Sequence, residues 1–173
     1  MIELRIPRSL FQEMIDDLER THPFAMERVG FVYGKMGSIG SDATLALLCR
    51  YHHIPDDQYL EDDTVGARIG EAAMSQAMRD LYDGHSHRLC IFHVHIHGNH
   101  GEPRMSRTDS RELPPMMPGF QSTSRNGAHG ILILSADHAA AWVWLPKEKE
   151  SRRATRIVVV GAPMEIFEGG KTW

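Results

Sequence analysis

The segment Arg88–His97, in which apolar and imidazole side chains alternate, constrains the fold of this chain more than any other feature. From Leu89 it reads Leu-Cys-Ile-Phe-His-Val-His-Ile-His. Successive side chains of a β-strand point to opposite faces. One face of the predicted strand is therefore apolar, with Cys90, Phe92, Val94 and Ile96. The other carries Leu89 and Ile91 and then three histidines, His93, His95 and His97.

The spacing of these histidines predicts a metal site. Residues i and i+2 of a strand share a face, so His93 with His95, or His95 with His97, can turn two imidazoles toward one ion at about 2.0–2.1 Å. Asp109 follows near the start of a helix that Ser106 can cap. Two histidines and one carboxylate leave an open coordination position, as a catalytic site requires. The same ligand set suits zinc and non-haem iron.

Composition excludes several other classes of protein. The chain has 173 residues, of which 42% are hydrophobic and 24% charged, and its net charge is -4. This is typical of one soluble domain and argues against a surface that binds nucleic acid. No apolar run approaches the roughly 20 residues of a membrane helix, and no signal-peptide pattern opens the sequence. We expect a cytoplasmic protein that does not bind membranes.

Hydrophobic periodicity predicts a single α/β domain over residues 1–173, of the α+β type, with helices flanking a mixed, mostly antiparallel curved sheet. Ser9 and Gln12 are expected to cap a first helix, and an exposed acidic loop is expected at Pro55–Thr64. A second helix is expected from Ala67 to Tyr82 with Ile69 facing inward, and the prolines after Asp109 should interrupt the third. Strands are predicted at Glu27–Gly34, Thr44–His53, Arg88–His97, Gly130–Ser135, Ala139–Leu145 and Arg156–Val160.

Taken in order, four segments resemble the JAB/MPN metalloprotease family, whose zinc-binding signature is called JAMM. Glu27–Gly34 is similar to the family's glutamate-bearing strand, and Ile91–His95 to its His-x-His strand end. Ser106–Asp109 matches its Ser-x-x-Asp motif, and Gly130–Ser135 resembles the strand that follows. The resemblance covers about residues 10 to 145. It implies a curved MPN-type sheet and a bound Zn²⁺ ion.

The interval before the aspartate departs from the family pattern and leaves the choice of ligands open. Thirteen residues separate His95 from Asp109 and eleven separate His97 from it, and both intervals are longer than the family's. We favour His93, His95 and Asp109 as ligands, because core packing fixes a strand more tightly than a loop. His97 is the alternative to His93, and otherwise His97 and His100 are expected to line the cleft.

The resemblance also implies an activity. Glu27 would act as general base and then acid, and Ser106 would donate a hydrogen bond to the oxyanion. Such enzymes cleave the isopeptide or peptide bond after the C-terminal glycine of a ubiquitin-like protein. Small bacterial members are associated with operons that encode E1-like and E2-like enzymes, some of which serve antiphage defence. The expected partners are therefore a ubiquitin-like modifier or its conjugates and these enzymes.

Two other functions remain as alternatives. One is a catalytically inactive MPN scaffold, which is disfavoured because Glu27, the histidines, Ser106 and Asp109 are all present, whereas such scaffolds typically lack several of them. The other is a non-hydrolytic metal protein, such as a non-haem iron enzyme or a metal-storage module. Identification of the metal would distinguish it from a peptidase.

Overall fold

A computed structural model describes residues 1–39, 43–84 and 88–169. Within these residues the chain forms three α-helices, one short 3-10 helix at Asp56–Gln58 and a nine-stranded sheet. The strands are β1 (Ile2–Pro7), β2 (Val29–Ile39), β3 (Ala43–His53), β4 (Leu89–Ile96), β5 (His129–Leu134), β6 (Ala139–Trp144), β7 (Arg152–Arg153), β8 (Arg156–Val160) and β9 (Glu165–Glu168). The helices are α1 (Arg8–Leu18), α2 (Glu71–Asp83) and α3 (Arg107–Thr123).

The sheet is mixed and curled. Its strand order is β7-β6-β5-β4-β2-β3-β1-β8-β9. Among the described strands, β1 pairs parallel with β3 and β8, β4 pairs parallel with β5, and the other pairs are antiparallel. Only Ala154 and Thr155 link β7 to β8, and their N–H groups donate to Ala141 in β6 and Ile2 in β1. Since two residues join strands from distant positions in the order, the sheet must bend back on itself.

Each face of the sheet packs against its own helices. On one face Leu10, Met14 and Leu18 of α1 join apolar side chains of β1, β2, β3 and β4. On the other face, α2 and α3 pack with Ala73, Ala77, Leu81, Leu113, Met117 and Phe120 over Ile91, Ile131 and Ile133. The predicted class, a mixed and mostly antiparallel curved sheet flanked by helices, is confirmed. No helix in the described part of the chain is both long and apolar enough to span a membrane.

Several local predictions were wrong. Pro7 occupies the N-cap of α1 and makes no side-chain cap bond, so the Ser9–Gln12 capping box does not form. The chain enters α1 directly from β1, a strand that was not predicted, and β1 sets the start of the helix. Helix α2 begins at Glu71, and Ile69 lies before it in an extended bridge to Tyr59. In both cases, pairing with a residue distant in sequence sets the residue at which the helix begins.

Helix α3 was predicted to break at its prolines, yet it continues through all of them. Pro114, Pro115 and Pro118 lie inside its 17 residues. An internal proline costs a helix about 3 kcal/mol through a lost hydrogen bond and a steric clash. Burial of Leu113, Met117 and Phe120 against the sheet offsets this cost. The helix therefore extends from the predicted cap at Ser106 along one side of the sheet.

Candidate metal centre

Strand β4 carries His93 and His95 as its alternation predicts, and His97 directly follows the strand, where its N–H donates to the carbonyl of Leu134 at 2.8 Å. Cys90, Phe92 and Val94 are buried in the core beneath α1, and Leu89 and Ile91 in the core beneath α2 and α3. Both neighbours of β4 are paired strands: β2 antiparallel with Val29 opposite His95, and β5 parallel with Ile133 opposite the same residue. Since β4 is held on both edges and on its apolar face, its histidines are rigidly placed.

His95 and His97 bring two nitrogen atoms together. Their Nε2 atoms lie 3.1 Å apart. Two ligands of a tetrahedral ion with bonds of about 2.0–2.1 Å lie about 3.3 Å apart. Glu27 completes a group whose donor atoms all lie within 4.8 Å of one another. These residues could hold a metal ion.

Asp109 approaches the same point from α3. Its Oδ2 atom lies 3.9 Å from Nε2 of His95. The same oxygen accepts a hydrogen bond of 2.8 Å from the backbone N–H of Ser106, and the Ser106 hydroxyl accepts one of 3.0 Å from the N–H of Asp109. This reciprocal pair is a capping box, and it confirms the predicted cap. It also fixes the Asp109 carboxylate in its orientation toward His95.

His93 lies on the same face of β4, two residues before His95. Its ring centroid is 5.5 Å from that of His95 and 5.9 Å from that of Phe31. Its Nδ1 atom is buried and has no hydrogen-bond partner among the described residues. The structure therefore brings the pair His95 and His97 together with Glu27, whereas it places His93 beside this group.

His100 does not line the cleft, contrary to expectation. Its side chain is 83% exposed, and its Nδ1 atom lies 3.7 Å from Oδ2 of Asp137. Asp137 also accepts a hydrogen bond from the N–H of Gly101. The glycine-containing loop after β4 thus turns His100 away from the other histidines, and a count of histidines in the sequence does not reveal this turn.

Glu27 lies two residues before the start of β2 and is partly buried. The neighbouring Arg28 is fully buried, and its guanidinium donates to the carbonyl groups of Arg20 and Thr21 and to the carboxylate of Asp56. These bonds fix the chain just where Glu27 enters the sheet. Burial, and secondarily the Asp109 carboxylate, raises the pKa of Glu27 to about 7. A carboxyl group with this pKa can take up and release a proton near neutral pH.

The pKa values of His93 and His95 are lowered, whereas the pKa of Glu27 is raised. Burial lowers the pKa of His95, with further lowering by His93 and His97, and burial also lowers the pKa of His93. Both imidazoles are therefore neutral at pH 7, which leaves a nitrogen lone pair available. Metal ligation requires the neutral imidazole, so the environment of His95 favours ligand chemistry without prior deprotonation.

A cleft of about 1030 Å³ opens over these side chains. Glu27, His95 and His97 line it together with Ser106 and Asp109. One wall is the segment 62–69 and the other is the N-terminal half of α3, as far as Met116, which contributes an apolar surface. Sequence analysis did not predict the first wall, because Pro55–Thr64 was expected only to form an exposed loop. That segment instead folds back through the Tyr59–Ile69 bridge.

Comparison with known proteins adds no family assignment. No protein-family model matches the chain, and no curated protein is significantly similar to it.

Proposed function

We propose that this protein is a zinc-dependent metallopeptidase of the JAB/MPN type that cleaves after the C-terminal glycine of a ubiquitin-like modifier. One observation carries the proposal: donor atoms of Glu27, His95 and His97 lie within 4.8 Å of one another, on the cleft that also contains Ser106 and Asp109. These residues come from β4 and the residue that follows it, from the N-terminus of α3 and from the chain before β2. They make up the JAMM-like pattern of the sequence.

His95, His97 and Asp109 would hold the ion. The Nε2 separation of 3.1 Å supports the pair His95 and His97 over His93 and His95, and so does the shorter interval between His97 and Asp109. When bound, zinc acts as a Lewis acid and lowers the pKa of water toward 7. Glu27 is assigned as the general base rather than as a fourth ligand, because it matches the glutamate of the JAB/MPN strand that the sequence resembles and lies beside His95 and His97 in the cleft.

The protein side chains then have distinct tasks. Glu27 takes a proton from water and returns it to the leaving amine. Ser106 donates a hydrogen bond from its hydroxyl group to the oxyanion that develops on the attacked carbonyl. Capping and donation are compatible, since a hydroxyl can accept one hydrogen bond and donate another. In the capping box the Ser106 oxygen accepts from Asp109, which leaves its proton available.

The cleft suits an extended peptide segment. It is open and continuous from the segment 62–69 to α3, with polar groups at the histidines and apolar side chains at Met74 and Met116. The flexible tail of a ubiquitin-like protein is such a segment. The proposal therefore includes a single MPN-type domain that acts in the cytoplasm, with E1-like and E2-like enzymes of the same operon as functional partners.

A fusion-cleavage assay tests the activity. Zinc-loaded protein is incubated with a linear fusion of ubiquitin to a reporter protein and with quenched peptides that contain Gly-Gly. We expect cleavage after the glycine, loss of cleavage with a chelator and recovery with zinc. Glu27→Gln should abolish cleavage while the protein keeps its zinc. Glu13→Gln, at an exposed glutamate of α1, serves as the matched control and should cleave normally.

Other outcomes would favour the alternative functions. Cleavage that survives Glu27→Gln would contradict the assigned base. Zinc uptake without cleavage of the fusion or of any peptide would favour an inactive MPN scaffold. Preferential iron uptake with an oxygen-dependent activity would favour a non-haem iron enzyme, which the same ligand types also suit.

A further inference from the structure

Gly66 lies directly against the side chain of Glu27. A Cβ atom on Gly66 would stand 2.2 Å from Oε1 of Glu27, 2.6 Å from its Cδ and 3.0 Å from its Cγ. Contacts this short would force the glutamate to move. The backbone of Gly66 does not adopt a positive φ, so its conformation does not require glycine. The requirement is one of space, and it comes from Glu27.

The backbone of Gly66 holds the same glutamate. Its carbonyl oxygen accepts hydrogen bonds from the N–H groups of Met26, at 2.8 Å, and Glu27, at 3.1 Å. The main chain and the side chain of Glu27 are thus both in contact with Gly66, which belongs to the cleft wall formed by the segment 62–69. Replacement of Gly66 by alanine keeps the carbonyl and changes only the space beside the carboxylate.

Gly66 belongs to a segment that is itself well anchored. At its ends, Leu60 donates to the carbonyl of Arg68 and Gly70 to that of Gln58, each at 2.8 Å. Within it, the Asp62 carboxylate accepts from the N–H of Thr64 and from the Arg68 guanidinium, at 3.0 and 2.9 Å. A Cβ atom on Gly66 therefore could not push the segment aside without cost.

The base of this segment is also fixed to β2. The Tyr59 hydroxyl donates to the carbonyl of Val29 at 3.0 Å and accepts from the N–H of the same residue at 2.9 Å. Val29 lies two residues after Glu27. The segment and the glutamate are therefore attached to one another at two points, through Tyr59 and through Gly66.

We propose that the anchored segment Leu60–Gly70 positions the Glu27 carboxylate over the histidines, and that Gly66 is the positioning residue through which it acts. The effect on cleavage rests on the proposed function, whereas the effect on the position of Glu27 does not. Displacement of a reacting group by about 1 Å can reduce turnover about 100-fold. Gly66→Ala should therefore lower kcat by about 100-fold and leave KM nearly unchanged.

A double-mutant cycle of Gly66→Ala and Glu27→Ala tests this inference. Glu27→Ala removes Cγ, Cδ and Oε1, the three atoms that an alanine at position 66 would meet. Three properties are measured in all four proteins: cleavage of the ubiquitin fusion, the visible absorption spectrum of the cobalt-loaded protein, and the free energy of unfolding. Gly37→Ala in β2 is the matched control, since a Cβ there would have no neighbour within 4 Å.

We expect Gly66→Ala to change the cobalt spectrum and to lower stability in the wild-type background, and to have no effect in the Glu27→Ala background. If Gly66→Ala alone fails to fold, recovery of folding in the double variant supports the same conclusion. Equal effects in both backgrounds, or a wild-type spectrum and stability for Gly66→Ala, would overturn the inference. Absence of cleavage by the wild-type protein would defeat the proposed peptidase only, because the spectrum and stability still report on the two residues.

Discussion

The two faces of β4 share one backbone and differ in what covers them. On the first face Cys90, Phe92 and Val94 are fully buried under α1. On the second, Ile91 is buried under α2 and α3, but the histidines that follow open into the cleft. Packing on the first face thus stabilises the strand, and because the strand is rigid, the histidines on the second face are held in fixed positions. A rigid strand gives a more accurate metal site than a loop does.

Removal of Phe92 tests the first face. Phe92→Ala should lower the free energy of unfolding by about 3–5 kcal/mol, because it removes a fully buried ring and leaves a cavity. Zinc affinity of the folded protein should change only a few-fold, since the ring points away from the histidines. Denaturant unfolding and zinc competition measure the two quantities, with Phe24→Ala at a side chain that is 45% exposed as control. Loss of zinc binding without loss of stability would contradict the division between the faces.

Replacement of single histidines tests the second face. Complete zinc sites bind with about 10–16 kcal/mol, so one ligand contributes about 3–4 kcal/mol, or more than 100-fold in affinity. His95→Ala and His97→Ala should each lose this much. His93→Ala should lose about 10-fold, because His93 contacts His95 only from the side. If His93→Ala instead lost zinc as fully as His95→Ala while His97→Ala retained it, the ligands would be His93 and His95.

Features that depend on local geometry could be predicted from the sequence, whereas features that depend on distant residues could not. Alternation in Leu89–His97 depends on local strand geometry, and it correctly predicted both faces of β4. The cap at Ser106 was equally local. By contrast, the path of α3 through Pro114, Pro115 and Pro118 depends on burial against the distant sheet. The turn that carries His100 to Asp137 depends on a residue far along the chain.

The contact between Gly66 and Glu27 could not be predicted for the same reason. The two residues are far apart in sequence, and the Tyr59–Ile69 bridge brings them together. Nothing in the composition of Pro55–Thr64 indicates that the chain beyond it returns to the glutamate. The motifs therefore singled out Glu27, His95 and His97, which the structure brings together, whereas they did not indicate the segment that contacts Glu27.

His129 is a histidine that lies on the same side of the sheet as the cleft histidines, on the neighbouring strand β5, but outside the cleft. It is fully buried on β5, its ring packs beside Phe120, and its Nε2 atom lies 3.2 Å from the carbonyl oxygen of Ser124. Burial lowers the pKa of His129 from 6.5 to about 4. In the unfolded chain the group keeps its ordinary pKa, so between pH 6.5 and 4 the unfolded state binds more protons than the folded state. Stability must therefore fall as the pH falls through this range.

The expected loss is about 1.4 kcal/mol per pH unit, on the order of 3 kcal/mol in total. The measurement is the free energy of unfolding of the metal-free protein from pH 7 to pH 4.5. His129→Gln should have a shallower slope than the wild type, and His53→Gln, at an exposed position of β3, should keep the wild-type slope. His93 and His95 contribute in the same direction, so some slope must remain in His129→Gln. If His129→Gln kept the full wild-type slope, the acid sensitivity would come from the cleft histidines alone. Burial of His129 would then contribute nothing to the pH dependence of stability.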